Sequence, residues 1–146
     1  YTVSDLIKTI IVVSANDSVV AMAEHIAGDE DMFVQKMNAK AQKMGLKNTH
    51  FMDCTGLSDE NHYSSARDIA VMSKLLLSFP EYFTYSRIWT DTLTHNGGRI
   101  TELTNTNKLV RFYEGADGVK TGYTSTAMHC ISASAKRNNI RFIYSF

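Results

Sequence analysis

The chain has 146 residues, 44% of them hydrophobic, which is enough to build the core of one domain. Basic and acidic side chains number 15 each. This balance argues against a nucleic-acid-binding protein and against electrostatic attachment to an anionic membrane. No apolar run has the length of a transmembrane helix, and no signal peptide is recognisable after Tyr1. Both ends are abrupt, so we expect the chain to be an internal piece of a longer protein.

Helical periodicity dominates the first part of the chain. Thr2 or Ser4 can cap a first helix, and Asn16 or Asp17 a second, which Gly28 ends. Both helices are almost entirely apolar, which predicts that they are deeply buried. A third helix follows after a short break. The three predicted helices cover residues 4–13, 17–27 and about 30–44.

A predicted loop over residues 46–64 leads to two further helices. Ser65 can cap the fourth, and Asp68, three residues later, fits the second position of a capping box. Pro80 is suited to open a short fifth helix. The loop and the two helices complete a helical block that ends at about residue 86.

Strand-like alternation replaces the helical pattern near residue 87. A hairpin is predicted from strands 88–94 and 99–103, because His-Asn-Gly-Gly between them is typical of a turn. A polar loop over residues 104–108 follows. Three further strands are predicted at 118–124, 128–135 and 140–146. The fold class is therefore α+β, a helical block (1–86) followed by an antiparallel sheet (87–146) within one partial domain, residues 1–146.

Two short polar motifs interrupt this pattern. Ser14-Ala15-Asn16 separates two apolar helices, where polar side chains need partners and so either line a cleft or cap a helix. Lys120-Thr121-Gly122 lies on a strand, where a buried Lys needs a partner or a function and Gly lets a ligand approach the backbone. Taken singly, each motif is better explained by an ordinary role, a helix cap or a solvated edge strand.

The two motifs mean more in this order. S-x-N followed by K-T-G forms two of the three signatures of the penicillin-recognising serine enzymes. The third, S-x-x-K, carries the nucleophilic Ser and its Lys. No Lys in this chain has a Ser three residues before it. The nucleophile is therefore absent from these 146 residues.

Longer segments make the resemblance specific. In order and spacing, nearly the whole chain resembles the D-alanyl-D-alanine carboxypeptidases of the low-molecular-mass penicillin-binding proteins. The segments concerned are Tyr1–Leu6, Ser14–Asp17, Ala23–Gly28, Met44–Phe51, Thr55–Leu57, His62–Asp68, Asn105–Val110 and Gly115–Thr124. The resemblance implies a partial β-lactamase/transpeptidase-like fold, with the S-x-x-K helix upstream of Tyr1. Met128 departs from the family pattern, which has Gly at that position.

The resemblance also implies the reaction and the residues that carry it. An upstream Ser would attack the peptide carbonyl between two terminal D-alanines, D-alanine would leave, and water would hydrolyse the acyl-enzyme. Ser14 would relay a proton, Asn16 would orient the upstream Lys and the substrate amide, and Lys120 would supply positive potential. Thr121 would bind the terminal carboxylate, and the Tyr123 backbone N–H would donate to the oxyanion hole.

Partners and location follow from the same resemblance. The implied ligands are a peptidoglycan stem peptide ending in D-Ala-D-Ala and β-lactam antibiotics, and no metal or organic cofactor is implied. The implied location is extracytoplasmic, with the parent protein secreted or membrane-anchored. The two apolar helices lead us to expect that the isolated chain self-associates through them, swaps elements or refolds locally.

Two other functions compete with this interpretation. A β-lactamase that deacylates with Glu carries it as E-x-x-x-N, and no Glu here lies four residues before an Asn. A non-catalytic peptidoglycan- or penicillin-recognition module is the second alternative, and the missing nucleophile favours it for this chain taken by itself.

Other polar side chains fit structural roles better than catalytic ones. Residues 62–68 contain His, Tyr, Arg and Asp, but a loop followed by a capped helix accounts for them. Cys54 and Cys130 have no metal-ligand spacing. We favour two free thiols, with a single disulfide as the alternative.

Overall fold

The computed structural model describes residues 1–57 and 60–146. Helices come first and strands second, as predicted, with one unpredicted helical turn between the strands. Ser58 and Asp59, within the predicted 46–64 loop, lie outside the described residues. The elements are α1 (Val3–Val13), α2 (Asn16–Ala27), α3 (Glu30–Lys43), α4 (Ala66–Leu76), α5 (Tyr82–Ser86), β1 (Thr90–Thr94), β2 (Ile100–Thr104), α6 (Leu109–Phe112), β3 (Ala116–Thr124), β4 (Met128–Arg137) and β5 (Ile140–Ser145).

Among the described residues, side chains cap three of the six helix starts, those of α1, α3 and α4. Thr2 and Asp5 form a reciprocal capping box at α1, which confirms Thr2 as its cap. Asp29 caps α3 by accepting from the Met32 N–H at 2.7 Å. The prediction that Asn16 or Asp17 caps α2 is wrong, because Ala15 occupies the cap position and makes no side-chain hydrogen bond there.

The first two helices are less buried than their composition predicts. Val12 and Ala23 are completely buried, but Val3 is 48% and Ile26 54% exposed. The prediction of deep burial holds for one face of each helix and is wrong for the other. Self-association through these helices stays a prediction.

The strands form two separate antiparallel sheets. β1 and β2 make a hairpin in which Thr90 lies opposite Thr104 and Thr94 opposite Ile100. The other sheet has three strands in the order β3-β4-β5. In it Lys120 pairs with Ser132, on an edge strand. The predicted hairpin and the three predicted strands are therefore confirmed, although their ends shift by a few residues.

Asp68 connects the 46–64 segment to α4. Ser65 caps α4 by accepting from the Asp68 N–H, as predicted. The Asp68 carboxylate, however, does not complete a capping box; it accepts from the Asn48 N–H and from the Thr49 hydroxyl, each at 2.9 Å. The side chain is almost completely buried, so it fixes the loop to the first turn of the helix.

Removing this carboxylate is expected to destabilise the chain. Asp68→Ala leaves two donors without their charged acceptor, and hydrogen bonds to charged groups contribute about 1.5–3 kcal/mol each. We expect urea denaturation to show a fall of about 2–4 kcal/mol in the free energy of unfolding. Asp31→Ala, at an exposed position in the first turn of α3, is the control and should change it by less than about 0.5 kcal/mol. Equal effects of the two substitutions would contradict the role assigned to Asp68.

Candidate active site

The S-x-N motif forms the tight turn between α1 and α2. Ser14 ends α1 in the left-handed conformation, with φ 59° and ψ 44°, which is uncommon for a residue with a side chain. Asn16 is the first residue of α2. Both side chains are exposed. Ser14 caps the end of α1 through its backbone N–H, and neither side chain caps α2, so the turn presents the Ser14 and Asn16 side chains at the surface.

The K-T-G motif lies in the middle of edge strand β3. Lys120 is half-buried, and its Nζ donates to the Thr121 carbonyl at 2.8 Å. Burial lowers the pKa of Lys120 below the usual value for Lys, because the charged form loses solvation. Gly122 is exposed, and a Cβ added there would meet no atom within 4 Å. The backbone beside Lys120 is therefore open to a ligand.

Thr106 connects the two motifs. Its N–H donates to the carbonyl of Val12, which precedes the Ser14 turn, at 3.0 Å. Its hydroxyl accepts from the Thr121 hydroxyl at 2.7 Å. One residue thus bonds both to the end of α1, two residues before Ser14, and to the K-T-G strand.

Two buried asparagines hold Thr106 in place. Asn105 and Asn107 are only 5% and 2% exposed. The Asn105 side chain donates to the Ile88 carbonyl at 2.7 Å, and the Asn107 side chain donates to the Gly118 carbonyl at 3.1 Å. The Asn107 N–H also donates to Asn105 Oδ1. Sequence reasoning treated this stretch as a polar loop and missed Thr106. The available signal was a Thr between two Asn, residues that favour side-chain-to-backbone turns.

An ion pair anchors the start of β3. Arg141 donates to both carboxylate oxygens of Asp117, at 2.7 and 2.8 Å, and Ser134 donates to one of them at 2.5 Å. Burial alone would raise the pKa of Asp117. The hydrogen bonds from Arg141 and Ser134 outweigh burial, so the pKa lies below the usual Asp value. This site also was not predicted.

The turn after β3 has a left-handed backbone at Met128, where the resemblance led us to expect Gly. Met128 has φ 59° and a 58% exposed side chain. The expected departure from the pattern is therefore tolerated because the side chain has room, although the conformation disfavours any residue with a Cβ.

The polar residues at 62–68 do not converge on one site. His62 lies 3.4 Å from the Asp53 carboxylate, whereas Asp68 bonds to Asn48 and Thr49. The structural interpretation of this stretch agrees with these contacts.

Both cysteines are free, as favoured from the sequence. Burial, followed by the hydrogen bond to Glu30, raises the pKa of the Cys54 thiol to about 12. A thiol with such a pKa is a poor nucleophile.

The described ranges 1–57 and 60–146 contain neither a candidate metal site nor a candidate membrane-spanning helix. No group of three or more His, Cys, Asp or Glu side chains there could hold a metal ion. Within the same ranges, no helix combines the length and the apolar character needed to cross a bilayer.

Comparison with known proteins matches the chain to one enzyme family over nearly its whole length. A D-alanyl-D-alanine carboxypeptidase family model matches residues 1–145. The D-alanyl-D-alanine carboxypeptidase DacF of Bacillus subtilis (strain 168) is 50% identical over 142 residues, which cover 97% of this chain and 36% of that protein. The chain thus spans about a third of the length of this relative.

Solved structures agree with the fold. Penicillin-binding protein 5 from Haemophilus influenzae superimposes with a TM-score of 0.88 and 40% identity, over 99% of this chain and 41% of that one. Penicillin-binding protein D2 from Listeria monocytogenes, in its ampicillin-bound form, gives a TM-score of 0.85 and 30% identity, over 99% and 58%. The α+β fold of β-lactamase/transpeptidase type that was predicted from the sequence is confirmed.

The Asp117–Arg141 pair provides a test of what anchors β3. Asp117 is 5% and Arg141 25% exposed in the side chain. Asp117→Asn leaves a partly buried cation without its counter-ion, which costs about 3–5 kcal/mol in comparable cases. Asp91→Asn breaks the more exposed pair with Lys8 and should cost at most about 1 kcal/mol. Urea denaturation at pH 7 measures both, and equal costs would contradict this assignment.

The pH dependence of the same variants follows from the lowered pKa. The pKa of Asp117 is lower in the folded state than in the unfolded state. Its contribution to the free energy of unfolding is therefore fully present above the unfolded pKa of 3.8 and is lost as the pH falls through the lower folded pKa. The difference between the parent chain and Asp117→Asn should therefore shrink on acidification below about pH 4.

Proposed function

This chain belongs to the D-alanyl-D-alanine carboxypeptidase family, and from that membership we propose that the whole protein is a serine-type D-Ala-D-Ala carboxypeptidase. It would remove the terminal D-alanine from peptidoglycan stem peptides through an acyl-enzyme. The observation that carries this proposal is the link through Thr106, which bonds to the strand of K-T-G and to the helix that leads into S-x-N.

The nucleophile would come from a segment outside these residues. Its hydroxyl oxygen would attack the carbonyl carbon of the penultimate D-alanine, and the C–N bond to the terminal D-alanine would break. The proton of the attacking hydroxyl would pass to the leaving amine, with Ser14 as the relay. Water would then cleave the acyl ester and regenerate the hydroxyl.

Lys120 would supply the positive potential for this step. Its half-buried position and lowered pKa support the role, because a poorly solvated cation gains most from an anionic ligand. Asn16 begins α2 with an exposed side chain, which leaves its amide available to orient the upstream Lys and the substrate amide.

Thr121, Gly122 and Tyr123 would hold the substrate. Thr121 would bind the terminal carboxylate through its hydroxyl. The open space over Gly122 supports close approach of the peptide to the strand. Tyr123 would contribute its backbone N–H to the oxyanion hole. The Tyr123 side chain, whose ring lies tilted against the His129 ring at 4.6 Å between centroids, is not needed for that role.

β-Lactam antibiotics would acylate the same nucleophile. The ampicillin-bound form of the similar Listeria protein supports this partner. A protein that acts on peptidoglycan works outside the cytoplasm, so we infer an extracytoplasmic location.

A non-catalytic recognition module is the second candidate. The observation that favours it is the absence of S-x-x-K from the chain itself. A β-lactamase of the Glu-dependent type is less well supported, since E-x-x-x-N is also absent.

The first test uses the 146-residue chain alone. Incubation with benzylpenicillin should give no covalent adduct by intact-mass spectrometry, because the attacking Ser is missing and the motifs present only assist. The full-length polypeptide should gain the mass of one penicillin. An adduct on the isolated chain would contradict the assignment of the nucleophile, and no adduct on the full-length polypeptide would favour the recognition module.

The second test addresses Ser14 in the full-length polypeptide. A proton relay contributes about 10²–10⁴-fold to the rate, so Ser14→Ala should lower kcat on a D-Ala-D-Ala peptide by about that factor. Ser4→Ala is the matched control, since Ser4 is also exposed on α1 but bonds to Tyr85 instead. Release of D-alanine measures both. A Ser14→Ala protein with undiminished kcat would exclude the relay.

A further inference from the structure

We propose that Thr106 is a positioning residue that controls the direction of the Thr121 hydroxyl and thereby the recognition of a ligand's free carboxylate. The inference rests on the proposed function and deepens it. It concerns substrates and inhibitors of one chemical class, peptides or β-lactams that present a carboxylate to the K-T-G strand.

The backbone of Thr106 is fixed from both sides. Asn105 and Asn107 are buried, and their side chains donate to the carbonyl of Ile88, just before β1, and to a carbonyl of β3. The Thr106 N–H is itself bonded to Val12. The residue is nevertheless exposed, because its side chain points away from these anchors toward Thr121. An exposed hydroxyl on a clamped backbone has a defined position without contributing to the core.

The hydroxyl pair can adopt two directions, and only one of them suits an anion. In the structure the Thr121 hydroxyl donates to Thr106 Oγ1 at 2.7 Å. A hydroxyl has one proton, so in this direction Thr121 offers only lone pairs to a ligand. A carboxylate also offers only lone pairs and would be repelled.

Ligand binding would reverse the pair. Thr121 would turn its proton to the carboxylate, and the Thr106 hydroxyl would rotate and donate to Thr121 Oγ1. Hydrogen bonds in such a chain polarise one another, and a bond to an ionised acceptor is stronger than a neutral one. Thr106 is suited to both states because a hydroxyl can accept in the free protein and donate in the complex.

Two substitutions at Thr106 separate the shape of the side chain from its hydroxyl. Val has nearly the shape of Thr but can neither accept nor donate. Ser retains the hydroxyl. Because Thr106 is exposed, Thr106→Val should leave the melting temperature nearly unchanged, as ordinary surface substitutions do. Loss of ligand recognition can then be separated from loss of folding.

The experiment compares benzylpenicillin with its methyl ester on the full-length polypeptide. Both carry the same reactive carbonyl, and only the acid carries the carboxylate. The second-order rate of adduct formation, measured by intact-mass spectrometry, gives an acid-to-ester ratio for each variant. Thr106→Val should lower this ratio about 2–4-fold, with the ester rate unchanged, because the Thr121 bond to the carboxylate loses the cooperative strengthening that donation from Thr106 gives it. Thr106→Ser should retain the parent ratio.

Thr104→Val is the matched control. Thr104 is an exposed Thr at the end of β2, two residues before Thr106. Its substitution should leave the acid-to-ester ratio unchanged. A Thr106→Val protein with the parent ratio, or with equal losses for acid and ester, would overturn this inference while leaving the proposed function intact. Failure of the unsubstituted full-length polypeptide to form any adduct would overturn the proposed function and this inference with it.

Discussion

Two buried amides determine how the hairpin and the larger sheet meet. Asn105 and Asn107 lie in the interior, where an unpaired polar group is costly, and each side chain instead replaces a missing backbone partner. Asn105 closes on the chain entering β1, and Asn107 closes on Gly118 in β3. These two side chains therefore fix the loop between the two sheets, and with it the position of Thr106.

The arrangement of charge near β3 fits an anion better than a cation. Asp117 is fully engaged by Arg141 and Ser134, so its carboxylate does not neutralise Lys120 three residues later. Across residues 1–57 and 60–146, no carboxylate forms an ion pair with Lys120. Its Nζ donates to a neutral carbonyl instead. A ligand carboxylate would restore the solvation that burial removes and would favour the protonated Lys.

The same loop connects stability to the proposed chemistry. Thr106 is placed by its buried neighbours, yet its own hydroxyl is exposed between α1 and β3. Buried hydrogen bonds thus hold the backbone, and the hydroxyl itself is exposed. The proposed role of Thr106 requires both properties, because a mobile loop would not hold a hydroxyl against Thr121.

By itself, the sequence determined the features that depend on neighbouring residues. The caps at Thr2 and Ser65, the His-Asn-Gly-Gly hairpin and the strand periodicity were predictable, because each arises within a few residues of chain. The two motifs and the family could also be identified from the sequence, because both depend only on the order and spacing of residues along the chain. Their roles in the site stay proposals.

Only the tertiary structure decided which distant groups meet. Asp68 matched a capping box in sequence. In the structure its buried carboxylate instead accepts hydrogen bonds from the Asn48 N–H and the Thr49 hydroxyl. The two Asn residues around Thr106 indicated a turn but not the partners of Thr106, because Val12 and Thr121 become its neighbours only when α1 and β3 pack together. A side chain's choice among hydrogen-bond partners depends on burial and on three-dimensional proximity, and local sequence specifies neither.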